Sequence, residues 1–164
     1  MFRLATESDL PKIMGIVKQI VVEMSTSNNR QWDETYPLPD DFLQDINTKS
    51  LYVLEEDAQL KGFISINGDY PQEYNELNWK AEDFLVIHRL AVNLANRKEG
   101  VATTLMQFAE QLAKERGIKF LKSDTSELNI GMNRLFHKLQ YVKVGQIELG
   151  EKEFRFNGYE KEID

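Results

Sequence analysis

Cysteine is absent from the 164 residues of this chain. That removes disulfides, thiolate nucleophiles and thiolate-ligated metals together, and it fits a reducing compartment. Histidine is almost as scarce, with His88 and His137 the two copies, so a histidine-rich metal centre is excluded and no metal is expected. Also missing are low-complexity tracts, internal repeats and any apolar run near the roughly 20 residues that a membrane helix needs. The opening MFRLATESDL puts acidic residues where a signal peptide would have its apolar core, so a cytoplasmic location and no membrane partner are expected. Basic residues are outnumbered 20 to 27, giving a net charge of -7, and they are scattered. No nucleic-acid partner is expected on that account, and a cationic partner suits the chain better.

What remains is an ordinary globular composition, 41% hydrophobic and 29% charged, in a length that fits a single domain over residues 1–164. Phe2–Thr6 reads as a strand. Ser8 is placed to cap a helix with Pro11 in its first turn, and Leu10, Ile13, Met14, Val17, Ile20, Val21 and Met24 recur at helical spacing. Residues 25–38 lose that period and read as a loop, a candidate substrate lip; residues 39–49 begin a second helix. LYVLEE and LKGFISING form a hairpin around a three-residue turn. After an irregular segment, 69–83, comes FLVIHRLAVN, read as the longest and most apolar strand and therefore as the centre of the sheet. A helix over 101–116 buries Val101, Leu105, Phe108, Ala109 and Leu112 and stops at Gly117. A strand at 118–124, a helix at 130–139 and strands at 141–149 and 154–163 complete an α/β chain with a mixed sheet.

The polar turn RKEGVA, between the apolar strand and the 101–116 helix, has two readings. Helix N-termini offer unpaired N–H groups and partial positive charge, so Arg97, Lys98 and Gly100 suit a pyrophosphate; equally, the turn is a plain connection in which Gly100 relieves crowding. It matches neither GxGxxG nor GxxxxGK[ST].

Here the chain resembles the GCN5-related N-acetyltransferases (GNAT). RKEGVA is similar to that family's Arg/Gln-x-x-Gly-x-Gly/Ala loop, Leu90–Val92 to the strand segment whose backbone pairs with pantetheine, and NIGMNRLFHKLQY to its Asn-x-x-Ala-x-x-Leu-Tyr-x-x-x-Gly-Phe segment. The resemblance implies the GNAT fold, a mixed sheet of about seven strands flanked by four helices in the order β-α-α-β-β-β-α-β-α-β-β. It implies acetyl-CoA (coenzyme A) as cosubstrate, held by Leu90, Ala91, Val92, Arg97, Lys98, Glu99, Gly100, Val101, Ala102, Thr103, Asn129 and Phe136. It also implies transfer of an acetyl group to a primary amine of a small molecule or a protein, with a homodimer left open. Phe136 departs from the family's tyrosine acid, and Val86 stands where a Glu base often falls. His88 is the remaining candidate base, and strand alternation would set it on one face with Leu90 and Val92; the alternative is a core histidine. Trp32, Tyr36, Tyr74 and Trp79 in the irregular segments, with Glu34, are candidate contacts for a cationic acceptor, or else cap the core. His137 reads as solvated. The alternative function is a non-catalytic acetyl-CoA sensor, and a third is a plain interaction module.

Overall fold

Residues 10–24 and Gly117 carry strong local signals, and both are met in a computed structural model that describes residues 1–164. Helix α1 (Leu10–Ser25) buries Ile13, Ile16, Val17 and Ile20. Its start differs from the expectation. Ser8 lies in a short 3-10 turn, Glu7–Asp9, that begins at Thr6, whose amide donates to the Asp9 carboxylate at 2.8 Å, and no side chain caps α1 itself. Asp9 in turn takes two bonds from Arg3, at 2.7 and 2.8 Å, which hold its carboxyl below the usual range.

The elements follow the order read from the sequence. Strand β1 (Phe2–Leu4) and α1 are followed by α2 (Pro39–Asn47), β2 (Leu51–Glu56), β3 (Gln59–Asn67), β4 (Leu85–Val92), α3 (Val101–Glu115), β5 (Phe120–Ser126), α4 (Ile130–Lys138), β6 (Val142–Ile147) and β7 (Phe156–Glu162). The seven strands form one sheet in the order β1-β2-β3-β4-β5-β7-β6, which puts β4 at its centre. Its nine residues make β3, not the eight-residue β4, the longest strand. Pairing is antiparallel for β1–β2, β2–β3, β5–β7 and β6–β7 and parallel for β4–β5, where Leu85 faces Leu121 and Val86 faces Lys122. The β2–β3 turn is two residues rather than three: Asp57 and Ala58 both have positive φ, the hand that matches strand twist. Helix α3 ends as expected, with Gly117 at φ +70° and the Ile118 amide returning to the Ala113 carbonyl at 2.9 Å.

Residues 1–66 with 88–108 form one compact unit, and residues 67–87 with 109–164 a second. In the first, Ile13, Val17, Trp32, Phe42, Leu51, Val53, Phe63 and Ala91 share a core. Gly62 of β3 lets β4 approach: a Cβ there would stand 2.7 Å from the Ala91 carbonyl oxygen and 3.1 Å from Leu105 of α3. In the second, Tyr74, Val86, Ile147 and Phe156 pack with Leu77, Trp79 and Phe84. No helix is long and apolar enough to cross a membrane.

Candidate active site

Strand β4 is irregular where the sequence places its chemistry. Arg89 has φ +43°, a left-handed value uncommon for a residue with a side chain. Alternation therefore does not run unbroken from His88 to Val92, and the shared face drawn for His88, Leu90 and Val92 loses its basis. All three are half-buried, whereas Ala91 between them is buried. The Arg89 side chain is tied down: Nε and Nη2 donate to the two oxygens of Asp45 at 2.7 and 2.8 Å, and Nη1 donates to the Tyr36 hydroxyl oxygen at 2.8 Å. Burial opposes the guanidinium's charge, but Asp45 and the Tyr36 oxygen outweigh it and its pKa is raised.

After β4, Asn93 caps a short turn, its side chain accepting from the Ala95 amide at 3.1 Å, and residues 97–100 lead into α3. Lys98 and Gly100 have φ of +67° and +78°, and a Cβ at Gly100 would meet nothing within 4 Å. Gly100 thus relieves no crowding; the backbone conformation demands it. The Thr104 amide donates to the Gly100 carbonyl at 3.0 Å. The amides of Val101, Ala102 and Thr103 precede any helical acceptor and lie at the positive end of α3. Among neighbouring side chains, Arg97 pairs with Glu23 at 2.5 Å, Glu99 is held by Lys61 and Asn96, each at 3.4 Å, and Lys98 is exposed. Both members of the Arg97–Glu23 pair are open to water, so the pair is weak and an incoming anion can compete for Arg97.

The same unit holds the lip. Tyr36 is 38% exposed and Glu34 is exposed, but Trp32 is buried and its amide donates to the Met24 sulfur. The side chain of Asp33 accepts from the Thr35 amide and hydroxyl.

In the second unit Tyr74 is 2% exposed and its hydroxyl donates to Asp124 at 2.5 Å. Burial pushes Asp124 up to about 6, with the Tyr74 bond acting the other way, and pushes Tyr74 well above its ordinary value. Trp79 donates to the Tyr74 carbonyl at 2.7 Å. The cation that these rings face is the chain's own: the Lys122 ammonium lies 3.5 Å from the Phe84 ring centre and 4.7 Å from that of Trp79, and donates to the Ala81 carbonyl at 2.8 Å. Burial lowers the Lys122 pKa, and Glu160 opposes that. Beside it Tyr70, Tyr74, Trp79 and Phe84 line an open cavity of about 360 Å³. Trp32 and Tyr74, read from the sequence as acceptor contacts or as caps on the core, are both buried.

Asn129 caps α4, its side chain accepting from the Met132 amide at 3.1 Å. Phe136 is fully buried and stacks on Tyr159 with centroids 4.4 Å apart. The Tyr159 hydroxyl donates to Asn133, whose side chain also bonds Asn157 and the carbonyls of Ser126 and Asn129. Val86 is fully buried in the core, and His137 is exposed. No group of three or more acidic or histidine side chains is arranged to hold a metal.

Sequence reasoning passed over Arg89, Asp45, Asn133, Lys122 and Asp124. An arginine in a central apolar strand was a signal that a buried carboxylate must face it; nothing local pointed to the other four.

A mixed seven-strand sheet carries a left-handed residue in its central strand, followed by a glycine turn and a helix with open amides. Residues 19–141 match the acetyltransferase (GNAT) family, and the chain belongs to it. Members of that family use acetyl-CoA as the acetyl donor. The chain is similar to a Staphylococcus aureus Mu50 protein provisionally assigned as an acetyltransferase, at 31% identity over 100% of this chain and 99% of that one, with a TM-score of 0.78. A GNAT-family acetyltransferase of Streptococcus agalactiae 2603 gives 0.87 at 24% identity, covering 100% and 95%. The Salmonella typhimurium protein yncA, solved with its cofactor acetyl-CoA, gives 0.73 at 16%, covering 100% and 94%. No curated protein matches in sequence.

Proposed function

We propose that this chain is a cytoplasmic N-acetyltransferase that moves an acetyl group from acetyl-CoA directly to a primary amine. The observation that carries the reading is the start of α3, where the Val101, Ala102 and Thr103 amides follow a turn held open by Lys98 and Gly100. In this reading those amides take the pyrophosphate, with Arg97 leaving Glu23 to join them, and the Leu90–Val92 backbone runs along the pantetheine. On the same unit as those amides, Glu34 and Tyr36 meet the acceptor, with Trp32 packing behind. His88 accepts the proton of the acceptor ammonium. The free amine then attacks the thioester carbon, an N–H near Leu90 stabilises the oxyanion, and as the C–S bond breaks the proton lost from the new amide nitrogen passes through water to the departing thiolate, giving the amide and coenzyme A. A thiol with a pKa near 8.5, taking cysteine as guide, leaves without a strong acid, so Phe136 does not bar the chemistry.

The burial of Phe136, where the family has its tyrosine, favours a second reading, a sensor that binds acetyl-CoA without turnover. Thiol release from acetyl-CoA is the deciding measurement, with a panel of polyamines, aryl amines, amino sugars and peptide N-termini. Release with any amine class supports the enzyme. Calorimetric binding with no release across the panel supports the sensor, and no binding overturns both.

A further inference from the structure

Of the six non-glycine residues with positive φ, Arg89 alone lies inside a strand. The others sit in turns, where left-handed backbone is ordinary. Such a conformation persists in a strand only where its surroundings over-determine it, and here the side chain supplies them. The guanidinium fork meets Asp45 with two parallel bonds, at 2.7 and 2.8 Å, a geometry lysine cannot reproduce. Asp45 is 3% exposed and sits near the end of α2, which is fixed in turn by Phe42, fully buried and edge-on to Phe63 of β3. The third bond, to the Tyr36 oxygen at 2.8 Å, reaches the lip, where Asp33 and Tyr36 exchange backbone bonds of 3.0 and 3.3 Å.

We infer that Arg89 is a positioning residue: locked on Asp45, it holds the left-handed backbone that aims Leu90–Val92 and fixes the Tyr36 hydroxyl oxygen at the acceptor lip. The inference rests on the functional reading above for what Leu90–Val92 and Tyr36 contact. It separates two jobs in one side chain. The grip on Asp45 serves the cofactor strand, and the bond to Tyr36 serves the acceptor.

The test uses four variants of the full chain. Removing Arg89 alone would strand a buried charge on Asp45, so Arg89→Gly and Arg89→Ala are each combined with Asp45→Asn; Arg89→Lys and Tyr36→Phe are made singly. Glycine tolerates the left-handed backbone without the fork, whereas alanine lacks the fork and resists the backbone. Acetyl-CoA affinity by calorimetry should fall at least tenfold in the alanine double variant and less than threefold in the glycine one. Acceptor KM, measured with the panel amine that the unmodified protein turns over fastest, should rise about tenfold in both double variants and in Tyr36→Phe, with kcat within threefold in Tyr36→Phe. Arg89→Lys keeps the charge opposite Asp45 but not the fork, so it should lower acetyl-CoA affinity and raise acceptor KM as the alanine double variant does. In cofactor-free protein, amide exchange at Asp33 and Tyr36 should quicken at least tenfold in the double variants while the β2–β3 ladder is unchanged. Parental acetyl-CoA affinity in the alanine double variant would overturn the inference, as would parental exchange at Asp33 and Tyr36 in both double variants. Absence of acetyl-CoA binding by the unmodified protein defeats the functional reading instead, and the exchange comparison, made without cofactor, still decides whether Arg89 holds the lip.

Discussion

Arg89 and Lys122 are both cations held beside aromatic side chains, and they are held in opposite ways. The guanidinium of Arg89 grips a carboxylate with two bonds, and its pKa is raised. Against Lys122 stand two ring faces and one backbone carbonyl, and its pKa is lowered. The Arg89 cluster ties a strand and a helix to an exposed lip residue; in the same unit His88 is half-buried and the first amides of α3 have no helical carbonyl to use. Around Lys122 the rings are occupied by the chain's own ammonium, and Tyr74 and Asp124 satisfy one another. Aromatic residues in an irregular segment therefore say little about ligand binding until it is known which cation they already face.

If the first region serves chemistry and the second cohesion, substitutions should separate turnover from stability. The largest effect is expected at His88. Loss of a general base typically costs about 100-fold to 10,000-fold in rate, so His88→Ala should lower kcat by that factor and remove the rising limb of the pH–rate profile, with acetyl-CoA affinity near parental. A fully active variant would make His88 a core histidine and break the contrast at its strongest point.

Next comes Asp124, whose pKa is pushed up to about 6 by burial. A folded-state value above the unfolded one means that the native protein holds the proton more tightly. The stabilisation this gives is complete below the ordinary carboxylate range and is lost as pH rises through about 6. Asp124→Asn keeps an acceptor for Tyr74 without the charge, so it should raise stability at pH 7.5 by up to about 3 kcal/mol and change little at pH 4. Thermal unfolding at both pH values checks this; a gain that is equal at both would remove the carboxylate's ionisation as the cause.

Gly62 tests whether the contrast is absolute. A Cβ there overlaps the Ala91 carbonyl next to Leu90, so Gly62→Ala should cost roughly 1–3 kcal/mol in unfolding and also weaken acetyl-CoA binding. Unfolding cost without loss of affinity would show that β4 can shift without disturbing the cofactor strand. The smallest stability effect is expected at Arg97. Its pair with Glu23 is exposed, so Arg97→Gln should leave stability within about 1 kcal/mol while acetyl-CoA affinity falls severalfold. Unchanged affinity, measured by calorimetry, would leave Arg97 as a surface residue only.

Legibility in the sequence followed the range of the forces involved. Element order, the buried face of α1, the glycine stop of α3 and the position of the RKEGVA turn all depend on contacts within a few residues, and periodicity and turn chemistry record those. The cap of α1 was misassigned because the chain enters the helix through a 3-10 turn in which Asp9 is taken up by the Thr6 amide and the Arg3 guanidinium. The roles of Trp32 and Tyr74 could not be read locally, since burial depends on what packs over them.

The sequence by itself determined the architecture, because seven strands and four helices each carry their own period, and it determined the family, because three motifs stand in order between His88 and Tyr141. Only the tertiary structure decided that Arg89 turns left-handed inside β4, that its charge is answered by Asp45, 44 residues away, and that Lys122 fills the aromatic cluster. Each of those is a pairing of charge with burial between residues far apart in the chain, and a buried charge takes whichever partner the packing brings within reach.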